Sequence, residues 1–480
     1  MDQSPSARGF TGNLALFVPE QGPWVKPRRP TSKRVEFQGF VVAARPPTLK
    51  MRGWFAGLGG IMTIYAAQSA FGLLVLTALA WAISEDRSRL SWRLVATGLG
   101  LQIIIALILT KVPFARDALI ALNGVVDTLM AATNEGTSFV FGYVGGGAAP
   151  FEVSSPQNAF VLGFQALPLV LVVSALSALL WYWRILPWVT KGFSIALQRS
   201  FNLGGAVGFG TAANVFLGMV EAPLLVRPFM ARLTRSELFI LMTVGLATVA
   251  GTVIVLYAFV LSSILEGAMG QILTASLISL PAAVLVAKLM VPGGADEEPT
   301  AGEVSAEDLG YQSSMDAVTR GTLDGLTLFL NILAMLLVLV ALVALANILL
   351  GLFPDILGEP LTLQRLFGWL FAPLVWLMGV PWGEAAVAGQ LMGTKTILNE
   401  FLAYVALTQT PVEMLSERSR LIMVFGLCGF ANLGSVGIMI GGLSAIVPDR
   451  RTEITSLAMK ALVGGTLAAA MTGATIGMIS

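Results

Sequence analysis

Glu221 stands in GMVEAPLLVRPF and Glu400 in KTILNEFLAYVAL, each flanked by strongly apolar residues. A carboxylate at bilayer depth costs several kcal/mol unless it faces a wet cavity or a partner, so an acidic residue there marks a functional site by default. When ionised it only accepts hydrogen bonds, which suits a ligand that offers donors. Two such groups, one in each half of the chain, point to a central polar site inside a membrane protein. The plainer reading is a structural lock, with one glutamate pairing to Arg227 or Lys395. A chemical alternative, a general acid and base pair in a membrane-embedded enzyme, is formally open to the same two residues.

The rest of the inventory narrows the chemistry. The sequence contains no histidine and a single cysteine, Cys428. Most zinc sites, every histidine-based triad and any intrachain disulfide are thereby removed, and Cys428 reads as a small buried apolar residue. The glycines of FVFGYVGGG have no P-loop lysine after them, so they make no phosphate cradle. A channel would call for symmetric pore-lining helices and a filter, which the sequence does not display.

These residues must be positioned by helices that cross a bilayer. The chain has 480 residues, 56% hydrophobic and only 12% charged, whereas soluble domains carry about 25% charged residues. The runs 160–183, 237–265, 272–291 and 326–353 each reach the roughly 20 apolar residues that span a bilayer. Period-2 alternation is missing, so the expected fold is an all-α polytopic bundle rather than a β-barrel. A net charge of +1 gives no reason to expect nucleic acid as a partner. Residues 1–53 contain a basic, proline-rich stretch that reads as a poorly ordered cytoplasmic arm near anionic lipid, not as a cleavable signal peptide. A multi-pass protein of the plasma membrane, the bacterial inner membrane, is implied.

Along the chain, 54–117 reads as peripheral scaffold helices divided by the charged loop SEDRSRLSWR. Residues 118–292 read as a first repeat, with a re-entrant hairpin over 118–152 and an apolar helix interrupted at 214–223 by Gly218, Glu221 and Pro223. The stretch 184–201, basic and amphipathic, is expected along the interface. A polar connector over 293–321 precedes a second repeat, 322–480, whose hairpin is broken at Pro381, Gly383, Gly389 and Gly393 and whose second interrupted helix falls at 429–437. Glu135 and Glu384 lie in the two hairpin regions, as gates or as solvated interfacial groups. Interrupted segments at corresponding places in two halves point to a transporter built from inverted repeats, and Ala213-Asn214 matches Ala431-Asn432 as a dipeptide.

Four ordered segments, TAANVFLGMVEAPLLVRPF, ATVAGTV, GTKTILNEF and CGFANLGSVGIMIGGL, resemble the signatures of concentrative nucleoside transporters from about residue 70 to the C-terminus. The resemblance implies a cation-coupled symporter that works as a homotrimer, with a scaffold domain and a mobile transport domain carrying two hairpins and two unwound helices. It also implies site roles. Glu400, Asn432 and Ser435 would face the sugar, and Phe430 would offer an apolar face to sugar or base. Gly218, Met219, Val220 and Glu221, with Val253, would line the other side of the substrate. Na⁺ would take side-chain oxygens from Asn214 and Thr248 and carbonyl oxygens from Leu217 and Val249. No cofactor beyond the coupling ion is expected. By themselves Asn214 and Asn432 could equally cap helix breaks, Thr248 could bond its own helix backbone, and Phe430 could simply pack.

One departure bears on selectivity. The family's stretch carries an amide and a hydroxyl that read the nucleobase, and this chain has Met219 and Val220 between Gly218 and Glu221. An apolar pocket discriminates less than one built to hydrogen-bond its substrate, so altered or relaxed base selectivity follows, with Met219 as an adaptable contact. Residue types at Asn214 and Thr248 favour Na⁺; a proton-coupled carrier of nucleosides or modified nucleosides is the alternative.

Overall fold

A computed structural model describes residues 61–153, 159–294, 300, 310–356, 358 and 360–480. The basic arm and much of the connector lie outside the described residues. Every extended element among those described is helical. In the first half these are α1 (Ile61–Ala82), α2 (Trp92–Lys111), α3 (Pro113–Phe141), α4 (Leu162–Gln165), α5 (Leu169–Tyr182), α6 (Ile185–Phe201), α7 (Gly205–Ala213), α8 (Glu221–Leu225), α9 (Arg227–Met230), α10 (Arg235–Ala247), α11 (Gly251–Leu261) and α12 (Ala268–Met290). The second half has α13 (Ser314–Leu350), α14 (Leu363–Leu377), α15 (Trp382–Ile397), α16 (Glu400–Gln409), α17 (Glu417–Leu427), α18 (Leu433–Ile446) and α19 (Arg451–Ile479). Seven stretches among the described residues are long and apolar enough to cross a membrane.

The order of elements repeats. A long helix (α5, α13) leads to a further helix (α6, α14), a helical hairpin (α7 with α8 and α9; α15 with α16), a broken helix (α10–α11; α17–α18) and a closing span (α12, α19). Corresponding members touch: α5 packs along α13, and α12 against α19. Two inverted repeats therefore interleave around one core, the architecture that discontinuous-helix transporters share. Helices α1 and α2 lean on α12 and α19, and the stretches Arg235–Leu261 (α10 with α11) and Ala268–Met290 (α12) are the most deeply buried spans.

The structure corrects the placement of the first hairpin. Residues 118–152 are not re-entrant: α3 runs unbroken to Phe141 and then stops at Gly142, whose φ of 59° ends the helix. Internal glycines such as Gly124 and Gly136 cost helix stability without breaking it, because no proline is present in that interior. The hairpin is instead Gly205–Met230, where the chain reverses at Gly218 with φ 114°. The interruption expected at 214–223 is thus a hairpin tip. The interrupted helix of this half lies in the run 237–265, read from sequence as one continuous span: it breaks at Thr248, whose ψ of 173° is extended, and resumes after Ala250. Asn214 and Asn432 consequently do not occupy corresponding places, one being in a hairpin tip and the other in a helix break.

Capping explains where the second-half elements start. Asn399 Oδ1 accepts from Leu402 N at 2.9 Å and opens α16 immediately before Glu400. Asn432 Oδ1 accepts from Ser435 N at 2.7 Å and opens α18. Each cap satisfies one of the first-turn amides that a helix start would otherwise leave without a partner.

Candidate functional site

Glu400 is 4% exposed at the N-terminus of α16, in the tip of the second hairpin. Its Oε1 accepts from Tyr257 Oη at 2.5 Å and its Oε2 from Asn432 Nδ2 at 2.9 Å. One carboxylate thus joins a hairpin tip to both broken helices, α11 through Tyr257 and α18 through Asn432. Each oxygen retains a lone pair for a further donor. Asn432 fulfils its cap role and the polar contact together, with Oδ1 on its own helix and Nδ2 on Glu400. Ser435 is buried beside it.

The two helix breaks cross one another. Phe430 N donates to Thr248 O at 3.1 Å. Gly429 has φ 149°, and a Cβ placed on it would lie 2.6 Å from Ala247 O. Glycine is required there twice, by conformation and by the close approach of the other backbone. Phe430 is half-buried at the crossing.

The first hairpin closes on the same junction. Asn214 Nδ2 donates to Thr248 Oγ1 at 2.5 Å and lies 3.3 Å from Val244 O. Thr248 Oγ1 also bonds its own helix at Val244 O, 3.0 Å away, so its local role and its contact with the hairpin coexist. Leu217 lies in the non-helical tip and Val249 in the non-helical break. Met219 packs over Gly245 of α10, with its Cβ 2.9 Å from the position of an added Cβ, and Val220 packs on Gly442 of α18 at 2.7 Å. Glu221 opens α8 and is exposed, its Oε2 curled to 2.8 Å from the Cβ position of Gly218. Val253 is 3% exposed on α11, one turn before Tyr257.

Among the described residues no ion pair links Glu221 to Arg227, which is exposed. Glu384 does hold structure: it accepts from Ser416 N and Oγ at 3.1 and 3.0 Å, pinning the start of α15 to the start of α17. Glu135 is exposed on α3. Cys428 is fully buried. No group of three or more His, Cys, Asp or Glu side chains gathers among the described residues as a metal centre would need.

Sequence reasoning missed Tyr257. It sits at i+4 from Val253 in α11, so the helical period alone puts both on one face, and that spacing was the available signal. Met335 of α13 was missed as well; its Cε lies 3.4 Å from the Cβ position of Gly434, which makes α13 a wall beside Asn432 and Ser435.

Comparison with known proteins bears on identity. The family described as Na⁺ dependent nucleoside transporter C-terminus matches residues 271–477, its N-terminal counterpart residues 71–144, and the one described as nucleoside recognition residues 163–264. An uncharacterised transporter of Haemophilus influenzae is 37% identical over 424 residues, covering 85% of this chain and 97% of the relative. The nucleoside permease NupC of Helicobacter pylori is 33% identical, with 85% and 97% covered. Among solved structures, CNTnw in an inward-facing substrate-bound state superposes with a TM-score of 0.78 at 35% identity, covering 86% of this chain and 97% of that one. These are membrane transporters and not enzymes, and the chain described above belongs with them to the Na⁺-dependent, concentrative nucleoside transporter family.

Proposed function

We propose that the protein is a symporter that couples inward Na⁺ movement to nucleoside uptake by alternating access, with relaxed base selectivity. The observation that supports it best is the junction at Glu400, where a hairpin tip and two broken helices share one buried carboxylate. Ribose hydroxyls would donate to the free lone pairs of Glu400, which Tyr257 and Asn432 hold in place; Ser435 and Phe430 complete that side. Glu221, with the tip residues Gly218, Met219 and Val220, and Val253 close the opposite side.

Na⁺ is a hard cation that takes oxygen ligands. Thr248 Oγ1 and the carbonyls of Leu217 and Val249 supply three, and a half-turn of the Asn214 amide replaces its donor with Oδ1. Asn214 is on the hairpin and Thr248 in the helix break, so a bound ion would tie the tip to the break. An ion that orders the tip raises nucleoside affinity, and by reciprocity the nucleoside raises affinity for the ion.

Relaxed base selectivity rests on Met219 and Val220, which spend their surface on Gly245 and Gly442 and offer no side-chain hydrogen bond to a base. The homotrimer belongs to the same reading. On α13 both Asp324 and Asn331 are exposed within a membrane-length helix, and polar groups in that position call for a protein neighbour or water. Competition of unlabelled adenosine, cytidine and inosine against labelled uridine tests the selectivity. The expected spread among the competitors is within about tenfold, widening in M219Q/V220T; a steep ranking in the native protein would overturn it. Counterflow exchange separates a carrier from a channel.

A further inference from the structure

A groove of about 290 Å³ lies between the end of α18 and the start of α19, lined by Ile440, Gly441, Ser444, Ala445 and Arg451. Ile440, Gly441 and Ala445 form apolar walls along the last two turns of α18, and Arg451 stands where α19 begins. No acidic side chain lines the groove among the described residues. The Arg451 guanidinium is exposed and has no ion pair among those residues. Glu453, the acid in the same helical turn, is committed elsewhere, to Arg450 at 2.8 Å and Arg235 at 3.9 Å. Ser444 Oγ is buried without a hydrogen-bond partner, a hydroxyl still free to donate. The groove sits at the basic end of the molecule. Arg450 Nη1 donates to Leu233 O at 2.7 Å and Arg235 bonds Glu85 at 2.9 Å, so the turn after α1, the start of α10 and the start of α19 meet there. Those segments carry Arg87, Arg89, Arg232, Arg235, Arg450 and Arg451. An excess of arginine in short loops marks the cytoplasmic side, where the leaflet carries anionic lipid.

We propose that this groove is a binding site for one anionic phospholipid of the cytoplasmic leaflet. The lipid phosphate accepts from the Arg451 guanidinium and from Ser444 Oγ, and an acyl chain lies on Ile440, Gly441 and Ala445. A cation at the surface with apolar wall below it matches a lipid in both parts. A free phosphate would gain nothing from the apolar walls, and a lipid without net charge would leave Arg451 unmatched. Gly441 provides the space, since a Cβ added to it meets nothing within 4 Å. The next residue, Gly442, carries Val220 of the first hairpin at 2.7 Å, so the lipid lies against the turn of α18 that seats the hairpin tip. The site is separate from the candidate sugar and ion ligands and does not depend on what is transported.

Native mass spectrometry of the delipidated full-length protein, titrated with phosphatidylglycerol or phosphatidylcholine, tests this beside thermal melting in the same detergent. The native protein should hold one phosphatidylglycerol per chain about fivefold or more tighter than phosphatidylcholine. R451Q should lose that preference, and S444A should weaken phosphatidylglycerol binding several-fold. R227Q removes an exposed arginine outside the groove and should bind as the native protein does. G441L keeps both polar groups and fills the groove. It should abolish the tight site while melting no lower than the native protein, because leucine is a better helix former than glycine. If R451Q fails to insert, G441L decides. Equal affinity for the two lipids, tight binding retained in G441L, or equal weakening by R227Q and R451Q, the mark of diffuse charge, would overturn the proposal. Inorganic phosphate in large excess should leave the lipid bound; displacement would make this a site for free anions and overturn the lipid assignment.

Discussion

Phe430 N donates to Thr248 O across 3.1 Å, so the break in one interrupted helix is hydrogen-bonded to the break in the other. The backbone beside the candidate sugar ligands and the backbone beside the candidate ion ligands therefore meet at one junction.

The crossing makes Gly429 indispensable. Gly429→Ala would put a Cβ 2.6 Å from Ala247 O at φ 149°. Backbone strain of about 1–3 kcal/mol follows. Thermal melting in detergent should fall by several degrees, and Na⁺ stimulation of uptake should weaken. A variant that melts with the native protein and keeps its coupling would refute the crossing.

Thr248→Val keeps shape and removes the hydroxyl that meets both Asn214 and Val244 O. The Na⁺ concentration for half-maximal uptake should rise about tenfold or more, the loss of one charge-assisted contact. The nucleoside KM at saturating Na⁺ should change little. An unaltered Na⁺ titration would remove Thr248 from the ion site.

Tyr257→Phe deletes the donor 2.5 Å from Glu400 Oε1. Hydrogen bonds to charged groups contribute about 1.5–3 kcal/mol, so the KM for uridine should rise roughly 10- to 100-fold. Should KM remain native while only stability drops, Tyr257 is a core residue and not part of the site.

Outside the membrane spans, Glu85 in the turn after α1 bonds Arg235 at 2.9 Å and Lys460 at 2.5 Å. The hydrogen bond from Arg235, then those from Lys460 and the two positive charges, hold its carboxyl down at about 2 against partial desolvation. A depressed folded-state value means that the stabilisation is present above the ordinary carboxylate range near pH 4.5 and is lost as pH falls toward 2. Because Arg235 and Lys460 are both more than 40% exposed, screening reduces the benefit to about 1 kcal/mol or less. Glu85→Gln should melt a few degrees below the native protein at pH 7, with the gap closing as pH falls from 4.5 toward 2; a gap independent of pH would assign it to packing.

Much of this architecture was legible because the bilayer restricts the options: apolar length marked the spans, and glutamates inside apolar runs marked the candidate site. Glu221 and Glu400 could be picked out on cost alone. The topology of the first half was not legible. Glycine, proline and glutamate at 218–223 break a helix in any context, and local sequence does not say whether the chain resumes its direction or turns back. The break at Thr248–Ala250 carries no proline, and its β-branched residues continue a hydrophobic run smoothly; what opens it is the second broken helix crossing at Gly429, a contact between residues far apart in sequence. Tyr257 escaped for a related reason: its importance lies in what faces it across the core.

The central claim is most directly tested by labelled uridine uptake into proteoliposomes of the purified protein, with and without an inward Na⁺ gradient, beside Glu400→Gln. Na⁺-dependent accumulation above the external concentration by the native protein, abolished in the variant, is the predicted result. Uptake that neither depends on Na⁺ nor changes when Glu400 is replaced would contradict it.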